Sequence, residues 1–596
     1  MCGIAGLMAS ERASPSIEVL SAMADQLEHR GPDGRGHSIM GDTGLIQTRL
    51  AIIDLMGGDQ PLFLNADNEQ QQVTLVANGE IYNYRELKSG DAPGDYQTQS
   101  DCEPPLYLYQ KYGIDYAVHL RGMYAIAIHD NPNNRLVISR DPFGIKPLYY
   151  GINQDGFVFA SEPSVFTKTG LATPSVNKKR ALELLQLQFS TGRETLFNGI
   201  YRVMPGETLV VEAGQVNQSF QVAALPTDEP LAMSVNDALK QLDQTFEESV
   251  DFHQRSDVPY GMFLSGGIDS SALLTMMARL NDRPVETFTA GFSGADVADE
   301  RDHAKTVANS LGANITCIDY GAEDFWATLP EITRIMDDPA ADYALLPTYK
   351  LAAAAKSAGL KVVLSGEGGD ELFAGYGRYR RASRPRILGG RPMRQSGALD
   401  GLGVLKNNGQ GWRDGIDDQE QNLPPYLTKL QKNQVLDCHD WLPHDLLLKL
   451  DRTLMAHGVE GRVPFLDAKI ADFAFRLPDK LKNRGGVGKW ILRKWLEKNL
   501  AHSQPFAPKK GFTVPVAGWI AGKAKSLATL IANQPGVEQL CHGPEVERLF
   551  NSLANGNADK HIGKAAWHLL FYALWHQSHI MGVKCGGDVF DTLTEV

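Results

Sequence analysis

Twice in this chain an apolar, strand-like run stops at a glycine-rich turn carrying carboxylates. YGMFL leads into SGGIDSS (265–271), and KVVL leads into SGEGGDELFAGY (365–376). Between them lie VETFTAGF, ERDHAKTVANSLG and NITCIDY, which read as strand, helix and strand. Alternating strands and helices with tight glycine turns fit a parallel sheet covered by helices. Ligands of such sheets lie at the carboxyl ends of the strands, where both turns fall.

The remainder divides around that plan. The chain has 596 residues, too long for one ordinary domain. Residues 1 to about 205 are β-rich, with strand candidates TGLIQTRLAII, QQVTLVANGE, GMYAIAIHD, NRLVISRD and GFVFASE. SIEVLSAMADQLEHR and PPLYLYQKYG have helical spacing, so a sheet-on-sheet core with flanking helices is expected. AALPTDEPLAMS (223–234) reads as a connector, giving domains over 2–210 and 235–596. The Gly-rich, polar stretch 386–425 reads as a long loop or mobile insertion, and the region from about 427 as mostly helical.

Composition narrows the function classes. A net charge of −13 disfavours nucleic acid as a partner, and no basic arm offsets it. No apolar run has transmembrane length and no basic-then-apolar leader is present, so no membrane role is expected. The six cysteines (Cys2, Cys102, Cys317, Cys438, Cys541 and Cys585) form no CxxC pair, which suits a reducing cytoplasm and indicates no zinc site.

The two turns suggest phosphate chemistry. In the first, backbone N–H groups of Gly266 and Gly267 and hydroxyls of Ser265, Ser270 and Ser271 would converge on an anion. No lysine follows at Walker spacing, so this is not that loop. Asp269 beside phosphate calls for a bridging metal, and Asp370 in the second turn supplies a second carboxylate. Together they suggest a Mg²⁺–triphosphate site. Glu367, between glycines, could reach a cleft and act as a base on an incoming amine; Glu371 is a further acid there. In GVGKWILRK (486–494), Lys489 would neutralise phosphate charge, although most lysines are solvated surface.

The N-terminal half suggests amide chemistry. The chain begins MCGIAG. If Met1 is removed, the Cys2 thiol and a free α-amine with a pKa of roughly 7.7–8.0 share one residue, a nucleophile with a built-in base. RGPDG (30–34), TRLAIIDL (48–55), ANGEIYNY (77–84) and SDCE (100–103) are polar clusters between apolar strands. Arg49 could grip a carboxylate, Asn78 and the Gly79 N–H could form an oxyanion hole, and Glu80 and Asp101 could hold an ammonium.

MCGIAG, HRGPD, RLAIIDL, NGEIYNY, SDCE, RDPFGIKPLYY, SDVPYGMFLSGGIDSS, LSGEGGDELFAGY and GVEGRVPFLD occur in one order along nearly the full chain. In that order the sequence resembles the glutamine-dependent asparagine synthetase B family. The resemblance implies an N-terminal nucleophile (Ntn) hydrolase αββα sandwich. An adenine-nucleotide α-hydrolase-like parallel sheet with a helical C-terminal region would follow it. It implies Cys2 as glutaminase nucleophile and Arg49, Asn78, Gly79, Glu80 and Asp101 as glutamine-binding positions. Leu264, Ala290, Ser365 and Gly366 match ATP-contacting positions, Asp269 and Asp370 the Mg²⁺–pyrophosphate carboxylates, and Lys489 a phosphate-contacting lysine. Glu367 matches the glutamate needed around formation and amination of an acyl-adenylate. Glutamine, aspartate and ATP are the implied substrates, an ammonia passage between domains is implied, and homodimers are common in the family. The stretch MDDPAADYALLPTYKL (336–351), expected near the acceptor pocket, and KKGFTVPVAGWI (509–520) follow the longer bacterial form. Members of that form differ in specificity, so the alternative acceptor is another carboxylate, a sugar acid or peptide in surface polysaccharide or secondary metabolism. A glutaminase-only or non-enzymatic relative would have lost Cys2, Asp269, Glu367 or Asp370; all four are present.

Overall fold

A computed structural model describes the chain except residues 1, 11–13, 293–299, 386, 388, 501–502, 508–513, 556–558, 585 and 596. Cys585 and the start of the 509–520 motif therefore lie outside the described residues.

The N-terminal region builds two six-stranded antiparallel sheets. The first runs in the order Tyr201–Arg202, Tyr149–Asn153, Gly156–Ala160, Gly3–Ala9, Thr43–Arg49, Gly34–Met40. The second runs Gln215–Gln221, Glu207–Glu212, Arg135–Arg140, Gly122–Asp130, Val73–Ile81, Leu62–Leu64. Alternate side chains of each strand point to opposite faces. Ile4, Met8, Leu45 and Phe159 of the first sheet thus meet Val76, Ala125, Ala127 and Ile138 of the second in one buried core. On the outer face of the first sheet, Ala5, Ile46 and Val158 pack against Leu20, Met23, Leu184 and Leu185 of the Ile17–Leu27 and Lys178–Leu187 helices. On the outer face of the second, Leu75, Ala77 and Ile126 pack against Leu106 and Tyr109 of the Pro104–Tyr112 helix. Helix, sheet, sheet and helix form the expected αββα sandwich.

The C-terminal region holds a five-stranded sheet in the order Asn314–Asp319, Glu286–Gly291, Tyr260–Phe263, Val362–Leu364, Glu460–Arg462. Every adjacent pair is parallel. The chain enters at the middle strand, builds outward on one side, then crosses to build the other. Its switch point lies between Tyr260–Phe263 and Val362–Leu364, the strands that end in the two glycine turns. Helices cover the sheet, and a helical region (Val516–Ala532, Gly543–Ala554, Lys560–His579) shares one core with the outer helices of the first sandwich sheet. Among the described residues no helix is long and apolar enough to cross a membrane.

Two expectations need correction. The 386–425 stretch is no mobile insertion over its described residues. It contains the Asp414–Asn422 helix, and Ala398, Leu399, Val404, Leu405, Trp412 and Ile416 are buried. Its apolar residues are sparse but fall where the chain folds back, so local composition understated the packing. The fifth parallel strand, Glu460–Arg462, lies inside a region read as helical, and its charged sequence EGR is fully buried.

Candidate active sites

Cys2 is buried at the start of the Gly3–Ala9 strand, beside Asn78 of the facing sheet. Its backbone N donates to Asn78 Oδ1 at 3.1 Å, and its carbonyl accepts from Arg30 Nε at 3.2 Å. The next backbone N–H, of Gly3, donates to Thr48 Oγ1 at 3.1 Å. Burial raises the Cys2 thiol pKa, so the neutral thiol needs a base near at hand. Asn78 Nδ2 is buried and makes no hydrogen bond among the described residues, an orphaned donor beside the nucleophile. Gly79 follows because a Cβ there would come within 2.1 Å of the Met123 carbonyl.

The other N-terminal candidates lie around this point. Arg49 is buried and its guanidinium is gripped by the 53–59 loop. Nη1 donates to Leu55 O at 3.2 Å and Asp59 Oδ1 at 2.8 Å, and Nη2 to the Ile53 and Asp54 carbonyls. Asp59 is 80% exposed, so a carboxylate reaches this arginine from solvent. Asp101 Oδ2 accepts the Ile81 N–H at 2.7 Å. Burial pushes its carboxyl up to about 6, against the lowering effect of that N–H. Glu80, expected as an ammonium ligand, is also drawn to the second domain. Its carboxylate faces Arg462 Nη2 of the second domain at 3.2 Å, and burial raises its pKa well above the usual range.

The two glycine turns meet at the carboxyl ends of neighbouring strands. A Cβ on Gly366 would sit 3.0 Å from Asp269 Cβ, and one on Gly369 would sit 2.6 Å from Asp269 Cγ. The Ile268–Leu280 helix begins directly after Gly267 without a side-chain cap, so its first N–H groups remain available to an anion. Ser265 Oγ lies 3.1 Å from Ser270 Oγ and accepts the Gly267 N–H at 3.3 Å. Leu264, whose N–H donates to Phe288 O at 2.8 Å, Ala290 and Ser365 are buried beside them. Ser365 donates its N–H to Arg462 O at 2.8 Å.

Lys489 closes this site. It holds a left-handed φ of +55° just before the Trp490–Asn499 helix, and its N–H donates to Phe373 O at 3.0 Å. Its Nζ contacts Asp269 Oδ2 and lies 2.6 Å from Asp370 Oδ1. Burial works to lower its pKa, but the two carboxylates outweigh it and the net shift is upward. Gly375 is required here, because a Cβ would fall 1.8 Å from Asp370 Oδ1 and 2.2 Å from Lys489 Cε. Among the described residues no group of three or more His, Cys, Asp or Glu side chains is arranged to hold a metal ion.

Glu367 points to a separate cluster. Lys449 Nζ lies 3.4 Å from Glu367 Oε1 and 3.0 Å from Asp342 Oδ2. Burial acts to depress this lysine, yet Asp342, Glu367 and Asp445 raise it. Asp445 is buried one helical turn before Lys449; its Oδ2 accepts from Gln188 Nε2 of the first domain at 2.8 Å, and its Oδ1 makes no hydrogen bond. The 336–351 stretch therefore divides. Asp342 reaches this cluster, whereas Asp337 pairs with Arg452 at 2.9 Å and Asp338 with Arg202 of the first domain at 2.7 Å.

The domain interface was missed by the sequence reading. Arg30 binds Asp451 through two hydrogen bonds of 2.8 and 3.0 Å and Glu162 at 2.8 Å. Arg121 grips Asp467 at 2.7 and 2.9 Å. Asp33 Oδ2 accepts Lys361 Nζ at 2.7 Å, Asp54 N–H donates to Asp257 Oδ2 at 2.8 Å, and Asp257 N–H to Ile52 O at 3.0 Å. Asp257, Lys361 and Arg462 lie in or just before three adjacent parallel strands. The only advance signal was charged residues inside motifs, RGPD and GVEGR among them.

Comparison with known proteins gives the family. Residues 1–221 match the model of a glutamine amidotransferase domain, and residues 241–577 match that of asparagine synthase. The chain belongs to the asparagine synthase family. It is 31% identical to asparagine synthetase [glutamine-hydrolyzing] 1 of Bacillus subtilis, over 97% of each chain. A putative asparagine synthetase of Mycobacterium bovis is also 31% identical over 97% of each chain. Amidase chry2 of Gibberella zeae is 26% identical over 91% of this chain and 93% of its own. This asparagine synthase family member is a glutamine-dependent ligase with an amidotransferase half and a synthetase half.

Proposed function

We propose that the chain makes asparagine from aspartate, glutamine and ATP through a β-aspartyl-adenylate, with working domains over residues 2–210 and 235–596. The observation that carries the acceptor is the cluster beside Glu367. One buried ammonium, Lys449, lies among Asp342, Asp445 and Glu367, and one oxygen of Asp445 lacks a donor. An acceptor with a carboxylate for the lysine and an ammonium for the acids suits it; a sugar acid has no cation to offer.

In the first domain Cys2 Sγ attacks the glutamine side-chain carbonyl after passing its proton to the α-amine. Asn78 Nδ2 and the Gly79 N–H receive the oxyanion. Ammonia leaves with a proton, and water frees glutamate from the thioester. Arg49 takes the substrate carboxylate in exchange for Asp59, and Asp101 takes the ammonium. In the second domain the acceptor carboxylate attacks the α-phosphorus of ATP and pyrophosphate leaves. Leu264, Ala290, Ser365 and Gly366 receive the nucleotide, while the Ser265–Ser270 turn and Lys489 receive the phosphates. Asp269 and Asp370 are the hard donor set that Mg²⁺ takes alongside phosphate oxygens, and the ion would neutralise their charge. Glu367 then removes a proton as ammonia attacks the mixed anhydride and AMP leaves.

The deciding assay supplies purified protein with MgATP, glutamine and aspartate and follows asparagine, AMP, pyrophosphate and glutamate. Equal formation of all four supports the proposal. Glutamate without asparagine or pyrophosphate overturns aspartate as acceptor and moves the search to other carboxylates. The Asp101 role has its own signature. Its carboxylate loses charge as pH falls through about 6. The apparent glutamine KM is then expected to rise by up to about tenfold per pH unit below that point. Asp101→Asn should give a high KM that no longer changes there; a wild-type KM that stays flat to pH ~5 removes Asp101 from the ammonium site.

A further inference from the structure

We propose that Asp451, a residue of the synthetase half, is a positioning residue for the glutaminase nucleophile. It acts through Arg30, which holds the Cys2 carbonyl. The inference rests on the reading of Cys2 as the nucleophile.

The argument starts from how an N-terminal residue is held. Once Met1 is gone, Cys2 has a single peptide bond to the chain. Rotation about its Cα–C bond would swing amine and thiol together through the pocket. That rotation is fixed only if the plane of the Cys2–Gly3 peptide and the amine are both fixed. Thr48 Oγ1 takes the N–H edge of this plane at 3.1 Å, and Arg30 Nε takes the carbonyl edge at 3.2 Å. Asn78 Oδ1 holds the amine nitrogen at 3.1 Å. Thr48 is itself held by donating to Leu27 O at 3.0 Å. These restraints, except Arg30's own anchor, come from the first domain.

The anchor of Arg30 comes from the other half. Its guanidinium is fully buried, and Asp451 takes it in a two-point planar grip at 2.8 and 3.0 Å. Glu162 is a poorer anchor, because it offers Arg30 only Oε1, which also serves His29 at 3.1 Å and Arg452 at 3.2 Å, whereas Asp451 offers both oxygens and only Oδ2 also meets Arg452, at 3.4 Å. Asp451 lies on the Leu447–Met455 helix, two residues after Lys449, and is itself buried. Removing its charge would leave Arg30 to be drawn toward Glu162. The Cys2 carbonyl would lose its fixed donor while every glutamine-binding group stayed in place. The effect belongs in turnover, not in substrate affinity.

The test compares wild type, Asp451→Asn and Asp451→Glu in glutamine hydrolysis, an assay that needs no acceptor. Active sites are counted by covalent titration of Cys2 with a diazoketone analogue of glutamine, so that misfolded protein is removed from the rate. Per titrated site, Asp451→Asn is expected to lower kcat by about tenfold or more with glutamine KM changed less than about threefold. Asp451→Glu, which restores the charge one methylene further out, should recover part of kcat. An unchanged kcat per site, a KM effect equal to the kcat effect, or a Glu variant no better than Asn overturns the proposal. If Asp451→Asn yields no titratable protein, Asp451→Glu alone decides: a kcat and KM both equal to wild type overturns it. Absence of glutamate release by wild type itself would instead defeat the glutaminase reading.

Discussion

Cys2→Ala is expected to abolish glutamine-dependent amide synthesis, by about four orders of magnitude or more, because Cys2 alone pairs a thiol with the α-amine, and the neighbouring Cys102 is held protonated by burial with its Sγ against Gly79 O and Asp101 Oδ2. Synthesis from ammonium salts should persist within about threefold, since the second site is built from other residues and external ammonia bypasses the first. The substitution removes one buried sulfur and leaves the amine on Asn78 and the carbonyl on Arg30. A matched pair of assays, one with glutamine and one with ammonium chloride at raised pH, checks it. Equal loss of both activities would defeat the two-site division or show that the fold depends on the thiol.

Arg462→Met is expected to cost about 3–5 kcal/mol of stability and to lower the melting temperature by several degrees, the usual result of breaking a buried ion pair from one side. Arg462 is fully buried; its Nε donates to Glu460 Oε1 at 2.6 Å, and Nη1 to the His253 and Arg255 carbonyls at 2.9 and 2.7 Å. Burial works to raise the Glu460 pKa, but nearby positive charge, Arg462 first and Lys146 among the rest, holds it down to about 2. A carboxylate depressed in the folded state contributes stability above its unfolded pKa, and that contribution fades as pH falls through the folded value. For Glu460 the window is therefore about pH 4.5 down to about 2. Wild type should lose this contribution on acidification across that window, and Arg462→Met should show a much shallower slope there. Arg462→Lys should recover only part, since one ammonium cannot reach both carbonyls and both acids. Thermal melts over a pH series read all three; a variant melting with wild type at neutral pH would mean Glu460 and Glu80 find other partners.

Much of this was legible because local chemistry and local pattern coincide. The strand over Gly122–Asp130 follows GMYAIAIHD, and the turn after YGMFL falls where glycine and serine demand it. Seven strands of the sandwich (Gly3–Ala9, Gly34–Met40, Leu62–Leu64, Tyr149–Asn153, Tyr201–Arg202, Glu207–Glu212 and Gln215–Gln221) have no counterpart among the strand candidates of the sequence. Gly3–Ala9 and Gly34–Met40 are glycine-bearing, and Gln215–Gln221 is largely polar and exposed, so alternation was weak. Glu460–Arg462 has no counterpart either, because burial of EGR is possible only with partners from distant segments. For the same reason the pairing of Glu80 with Arg462 is not legible in the sequence: nothing nearby announces Arg462. Lys489 stands out in the sequence for its neighbouring glycines, and the fold brings its Nζ to Asp269 and Asp370 across 220 and 119 residues of chain.

The charged seam between the halves also bears on how such enzymes can be rebuilt. A glutaminase half transplanted from a relative arrives with its own buried cations and anions at the contact face. Arg30, Arg121 and Arg202 here need Asp451, Asp467 and Asp338 opposite them. A chimera that joins the halves in the connector but mismatches these pairs would bury unanswered charge at several points at once. Exchange of donor modules should therefore succeed only when the opposing carboxylates travel too, and recombination within this family is confined to parents whose seams agree.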